Sequence, residues 1–281
     1  MRRSSRVSVR AILGAAIAMV AAFALAACGD SDDEAQSLSY ALSGDGKAAK
    51  FSGPESAETG EAEITFTNES KDEAEMQLIR VEGDHSAEDV IEGLKSAETG
   101  KSFPDWFFAG GGVEPTKAGQ SRTVTQVLHP GTYYTINLEA DNIKPSAILA
   151  IEVTGDEPDT ELEADATVEA GEYSFTPDGL VAGKNEINFA NIGAQPHHLL
   201  IAPLKGENTV KDVEAALKDE KGPPPFDESK FQGTTVIEGG ESQLVEMDFE
   251  PGRYVMLCFI SDRQGGPPHA VKGMIDEVEI D

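Results

Sequence analysis

The chain has 281 residues, 22 Lys and Arg against 51 Asp and Glu, a formal net charge of −29 and 2 cysteines. So acidic a surface repels phosphate backbones and anionic headgroups, which excludes nucleic acid and leaves cations or a basic protein as the partners that charge favours. The acids are spread along the whole sequence, the pattern of a solvated surface.

Arg2, Arg3, Arg6 and Arg10 precede an apolar run, 11–27, that stops at Cys28. A basic start, a short apolar stretch and small residues at its end read as an export signal. Leu25-Ala26-Ala27-Cys28 resembles a bacterial lipobox. That implies cleavage before Cys28, acylation of its thiol, and tethering to the bacterial cell membrane on its extracytoplasmic side; a plain secretory signal or a short membrane span is the alternative. Removing residues 1–27 lowers the basic count to 18 and leaves all 51 acids. With Cys28 acylated, Cys258 is the one thiol of the mature chain, so an intramolecular disulfide is excluded even in an oxidising compartment.

An acidic tether, 28–37, leads into two similar halves, 38–154 and 167–281, joined by an acid- and proline-bearing linker, 155–166. EITFTNES at 63–70 is answered by EINFANIG at 186–193, EMQLI at 75–79 by HHLLI at 197–201, and GQSRTVTQVLHPGTYYTINL at 119–138 by GESQLVEMDFEPGRYVMLCF at 240–259. Asp89-Val90 and Leu94-Lys95 return as Asp212-Val213 and Leu217-Lys218, which marks one short helix per half. Matches in one common order imply an internal duplication. Runs such as EINFAN, QLVEMDF and RYVMLCF alternate between Gly, Pro, Asn and Asp turns, so each half is predicted to be an antiparallel β-sandwich with its own core.

The segment CFISDRQGGPPHAVKGM at 258–274 puts a thiolate, an imidazole and a thioether close together, a soft set that suits copper. NIGAQPHHLLI at 191–201 offers a further imidazole. In this stretch period two sets His197, Leu199 and Ile201 on one face and His198, Leu200 and Ala202 on the other; both faces are apolar, so the pattern does not choose between the histidines. Singly, each residue has an ordinary reading: Met274 as core, His269 as a surface loop residue, Cys258 as a buried thiol.

A strand ending in Asn, then Gly, Pro-His and, much later, Gly-x-Tyr, Cys, His and Met resembles the cupredoxin, or blue copper, family. The resemblance implies an all-β chain of two tandem cupredoxin-like Greek-key β-sandwiches. It also implies one type 1 copper held by His197, Cys258 and His269, with Met274 as the weak axial ligand. The family's ligand follows the proline, which favours His197; His198 would then brace the copper loop by hydrogen bonding. Zinc could take the same donors, but copper stands above it in affinity and softness. Ten residues separate Cys258 from His269, a longer loop than in plastocyanin-like proteins, and Gly265, Gly266, Pro267 and Pro268 would turn and stiffen it. An exposed His269 would be the electron exit.

At the matching positions the first half carries Glu75, Asn137, approximately Ser146, and the apolar Leu149, which implies the fold without the site. His85 and His129 are expected in solvent, and FPDWFF at 103–108 is either core or a contact surface. Cys258 is flanked by Leu257 and Phe259, and five histidines are too few for a trinuclear copper centre. There is no GxSxG elbow, HExxH helix or phosphate-binding loop, so no enzymatic chemistry is expected. The expected function is an extracytoplasmic, membrane-anchored type 1 copper protein carrying single electrons to and from redox partners, a basic one among them. The alternatives are a lipoprotein for copper storage, delivery or sensing, and a metal-free interaction module.

Overall fold

The computed structural model describes residues 35–44, 46–98, 101–140, 142–219 and 223–281. The export signal, Cys28 and most of the tether lie outside these residues, so the structure does not bear on lipidation. Among the described residues no helix is long and apolar enough to cross a membrane.

The first half contains β1 (Gln36–Ser43), β2 (Lys50–Ser52), β3 (Ser56–Glu58), β4 (Gly60–Asn68), β5 (Ala74–Val81), α1 (Ala87–Glu98), β6 (Phe107–Thr116), β7 (Ser121–Leu128), β8 (Gly131–Ile136) and β9 (Ala150–Thr154). The second contains β10 (Ala166–Gly171), β11 (Ser174–Asp178), β12 (Gly183–Asn191), β13 (Leu200–Pro203), α2 (Val210–Asp219), β14 (Gln232–Gly233), β15 (Ser242–Phe249), β16 (Gly252–Leu257), α3 (His269–Lys272) and β17 (Ile275–Ile280). The expected all-β fold, with a short helix between strands of each half, is what forms.

Alternation drives the layering. On β4, Ala62, Ile64, Phe66 and Asn68 face inward, and on β12, Asn185, Ile187, Phe189 and Asn191 do the same. Each half closes as two sheets that the chain repeatedly crosses between. A five-stranded sheet, β3-β9-β8-β5-β6, covers the first half and a four-stranded sheet, β14-β13-β16-β17, covers the second.

The opposing layer belongs to both halves. It is one eight-stranded sheet in the order β11-β10-β12-β15-β7-β4-β1-β2. The halves join where β15 pairs antiparallel with β7, with Gln243 opposite Gln126 and Val245 opposite Val124. Each strand would otherwise present an open edge, and joining them satisfies both rows of backbone groups. One hydrophobic core cluster accordingly holds residues of both halves, Phe66 and Phe189 among them.

Equivalent hydrogen bonds repeat the duplication in three dimensions. Asn68 Nδ2 donates to the Thr116 carbonyl at 2.6 Å, and Asn191 Nδ2 to that of Ile237 at 3.1 Å. The Tyr133 hydroxyl accepts the His129 N–H, and the Tyr254 hydroxyl accepts the Glu250 N–H, both at 3.1 Å. Asp89 accepts from the Ser86 N–H and Oγ at the start of α1, and Asp212 from the Thr209 N–H and Oγ1 at the start of α2, all at 2.8 Å. These are capping boxes with Asp in the acidic position.

Two expectations are corrected, and one element is new. His85 is half-buried and stacks on Trp106, ring centroids 3.8 Å apart. His129 is half-buried as well, held between Glu157 and Glu241, whose carboxylates supply the partners that water would otherwise provide. The short α3 was unforeseen: Pro268 precedes it and Gly273, at φ 109°, ends it, so the loop glycine–proline run delivers a helical turn. The 103–108 segment is mixed, with Phe107 buried and Phe103, Trp106 and Phe108 half-buried.

Candidate metal centre

His197 follows β12 through a turn fixed by Asn191, whose Oδ1 accepts the Gly193 N–H at 3.1 Å and whose Nδ2 reaches the Gln195 carbonyl at 2.8 Å. Beyond Pro196, His197 exchanges two backbone hydrogen bonds with Ile237, at 3.0 and 2.9 Å. Leu199 and Ile201 enter the core cluster that contains Cys258 and Met274, whereas Leu200 and Ala202 pack in a separate cluster behind it. Alternation thereby turns His197 toward Cys258.

Cys258 lies just past the end of β16, and the loop after it returns on itself. The Cys258 carbonyl accepts from the Ala270 N–H at 2.7 Å and the Ile260 carbonyl from the His269 N–H at 2.8 Å. The reversal uses Gly265 and Gly266 at φ 82° and 117°, a region that disfavours side chains. Helix α3 then carries His269, and the Met274 N–H bonds the His269 carbonyl at 2.9 Å.

His197, Cys258, His269 and Met274 are all 0 % exposed. Nδ1 of His197 and Nδ1 of His269 stand 3.6 and 3.5 Å from Cys258 Sγ and 3.0 Å from each other. The point equidistant from three such atoms lies about 2 Å from each, the length of a metal–donor bond. Burial pushes the Cys258 thiol up to about 11 and the His197 imidazole down to about 4. A bound cation reverses this on the sulfur, because it binds the thiolate and releases the proton.

His198 takes another role. Its Nε2 accepts the Phe259 N–H at 2.9 Å, one residue beyond Cys258, and burial first, then the neighbouring imidazoles, push it down to about 3. The geometry thus separates two histidines that the sequence pattern could not.

His269 is not the exposed imidazole the sequence reading expected. Its Nε2 donates to Asp262 Oδ1 at 3.0 Å, and the ring of Tyr173 packs edge-on at 5.3 Å. That hydrogen bond fixes the tautomer and leaves Nδ1 free to face Cys258. The reason for burial is the long loop itself, which brings Asp262 back over the ring. Asp262 also accepts from the Tyr173 hydroxyl at 3.0 Å and from Lys272 Nζ. Desolvation opposes ionisation of Asp262, but the bonds from Lys272, Tyr173 and His269 outweigh it and hold the carboxyl below its usual range.

Tyr173, Asp262 and Lys272 were missed by sequence reasoning. Asp262 and Lys272 lie inside the quoted loop segment, where their charges were a signal; Tyr173 lies on the β10–β11 turn, distant in sequence. It is the one non-glycine among the described residues with positive φ, 64°, backbone strain of the kind that collects at functional sites. At Gly193 a Cβ would come within 2.9 Å of Glu172 Oε1, while its 3.4 Å distance to His197 Nε2 would be an ordinary contact.

Among the described residues, His197, Cys258 and His269 form the cluster of close His, Cys or carboxylate donors; no such cluster forms in the first half. There the Glu75 N–H donates to Asn137 Oδ1 at 3.0 Å, and burial, with Glu139 and Glu114 adding to it, pushes the Glu75 carboxyl up to about 8. Ser146 is exposed and Leu149 packs against the core.

No family profile matches this chain, and no curated protein does. Among solved structures it is similar to dithionite-reduced auracyanin from Roseiflexus castenholzii, at 22 % identity and TM-score 0.28, over 41 % of this chain and 94 % of that one. It is also similar to copper nitrite reductase from Nitrosomonas europaea, at 13 % identity and TM-score 0.25, over 88 % of this chain and 94 % of that one. At TM-scores this low the reading of the site rests on its own geometry.

Proposed function

We propose that this chain is a type 1 copper protein that carries single electrons between redox partners outside the cytoplasm, tethered to the bacterial membrane through an acylated Cys28. The observation that carries the reading is the buried Nδ1, Nδ1 and Sγ triad of His197, His269 and Cys258, with Met274 in the same core. Two imidazoles, a thiolate and a weak thioether are the donor set of a blue-copper site, and copper bound there would supply one-electron cycling between Cu(II) and Cu(I).

The chain's part is to hold these donors in one arrangement. The Asp262 hydrogen bond orients His269, the His198 hydrogen bond fixes the backbone beside Cys258, and the Ile237 pair fixes His197. A site in which every donor is 0 % exposed retains its metal, which favours electron carriage over copper delivery. The acidic surface suits a basic partner, and no substrate chemistry is assigned to the chain.

The test is addition of Cu(II) to the purified protein, with visible absorption and metal stoichiometry recorded together. One copper per chain with an intense thiolate-to-copper band, and reversible one-electron reduction, is the expected result. A protein that neither binds copper tightly nor colours would leave a metal-free interaction module.

A further inference from the structure

The polar contacts of one loop residue link the metal centre to the half that carries no ligands. Arg263 lies between Cys258 and His269, next to the Asp262 that orients His269. Its guanidinium Nη1 donates to Glu238 Oε2 at 2.8 Å, while Nη2 donates to the carbonyls of Phe107 at 3.0 Å and Pro104 at 3.2 Å. The same group lies 4.8 Å above the Phe108 ring. Its main chain is held too: the Arg263 carbonyl accepts the Phe103 N–H at 2.8 Å, and the Arg263 N–H donates to Gln195 Oε1 at 2.8 Å, two residues before His197.

Glu238 is in turn tied to the first half, since it exchanges backbone and side-chain bonds with Ala109, Glu238 N–H to the Ala109 carbonyl at 2.9 Å and Ala109 N–H to Glu238 Oε2 at 3.2 Å. Packing alone does not set the loop on this side. A pocket of about 290 Å³ remains between Phe103 and Phe107 of the first half and Pro196 and Ile260 of the second. Across such a gap dispersion contributes little, and directional contacts decide position.

We propose that Arg263 is a positioning residue for the metal centre: it clamps the ligand loop to the 103–108 segment, and the first half serves as the frame that sets the geometry around His269. This rests on the copper reading above. Through Asp262, a displaced Arg263 would rotate the His269 ring, and orienting partners of metal ligands typically alter metal affinity by about 10- to 100-fold.

The test compares Arg263→Ala and Arg263→Lys with wild type in the full chain loaded with Cu(II). A wild type without the thiolate-to-copper band would refute the copper reading itself, whatever Arg263 does. Given that band, Arg263→Ala is expected to retain one copper with a shifted band and reduction potential and a copper dissociation rate raised about tenfold or more. Arg263→Lys, which keeps the charge and loses the planar fork, is expected to fall between. Arg253→Ala, which removes an ion pair with Glu277 on the β16–β17 ladder, is the control and should match wild type. Should Arg263→Ala not fold, Glu238→Gln and Phe108→Leu each remove one arm of the clamp and are expected to shift the band in smaller steps. Spectrum, potential and off-rate all equal to wild type in the folded variants would overturn the proposal.

Discussion

Gln77 of β5 holds Val236 of the other half as a strand would, its Nε2 donating to the Val236 carbonyl and its Oε1 accepting the Val236 N–H, both at 2.9 Å. The next residue, Ile237, bridges Gly110 on one side and His197 on the other. A buried amide of the first half therefore reaches the backbone of His197 through two sets of hydrogen bonds joined by the Val236–Ile237 peptide bond. Gln243 answers from the opposite direction by donating to the Gly112 carbonyl.

This seam predicts that the halves unfold together. Gln77→Leu keeps the shape but leaves the Val236 N–H without its acceptor, while the Val236 carbonyl retains the Gly111 N–H, at an expected cost of about 1–3 kcal/mol. Denaturant unfolding followed by Trp106 fluorescence, which reports the first half, and by backbone circular dichroism should give one coincident transition. Two separated transitions in the wild type would refute the shared-sheet argument.

Cys258→Ser should abolish the thiolate-to-copper band while leaving the circular dichroism of the sheets unchanged. His197→Ala should lose copper as well. His198→Ala is expected to keep copper and lose stability by about 1–3 kcal/mol, because the Phe259 N–H is left without its acceptor. Copper titration of the two histidine variants decides the assignment, and it is reversed if His198→Ala alone loses the metal.

Met274→Leu conserves side-chain volume in the core, so its folding cost should stay under about 1.5 kcal/mol. Copper should remain, with a higher reduction potential, since loss of a thioether donor weakens the hold on Cu(II) more than on Cu(I). Voltammetry of the variant checks this, and an unchanged or lower potential would exclude the axial role.

His129 gives the stability a pH dependence. Its Nε2 lies 3.0 Å from Glu241 and its Nδ1 contacts Glu157, while the Tyr133 hydroxyl accepts its backbone N–H. The hydrogen bond to Glu241, against opposing desolvation, raises its pKa above 6.5. The folded state thus prefers the protonated imidazole, so its contribution is fully present below the unfolded value and is lost as pH rises through the folded one. The stability difference between wild type and His129→Gln should be larger near roughly pH 5.5 than near roughly pH 9, as measured by denaturant unfolding at each. A difference that grows with pH would contradict the sign.

Much of this molecule was legible in the chain because its signals are local. Period-two runs such as EINFAN define strands whichever partners they find, and the repeated order of motifs reports a duplicated unit. The donor types at His197, Cys258, His269 and Met274, taken together, point to soft-metal chemistry. Tertiary structure decided the rest, because each remaining point depends on residues far apart in sequence. Which of His197 and His198 faces Cys258 needed the two core clusters behind the strand, since both faces are apolar. The burial of His269 needed a loop that folds Asp262 back over it and a Tyr173 from the β10–β11 turn. The joining of β7 to β15 was invisible because an edge strand carries no sequence mark of its partner: backbone groups make that bond, and they are the same in every residue but proline.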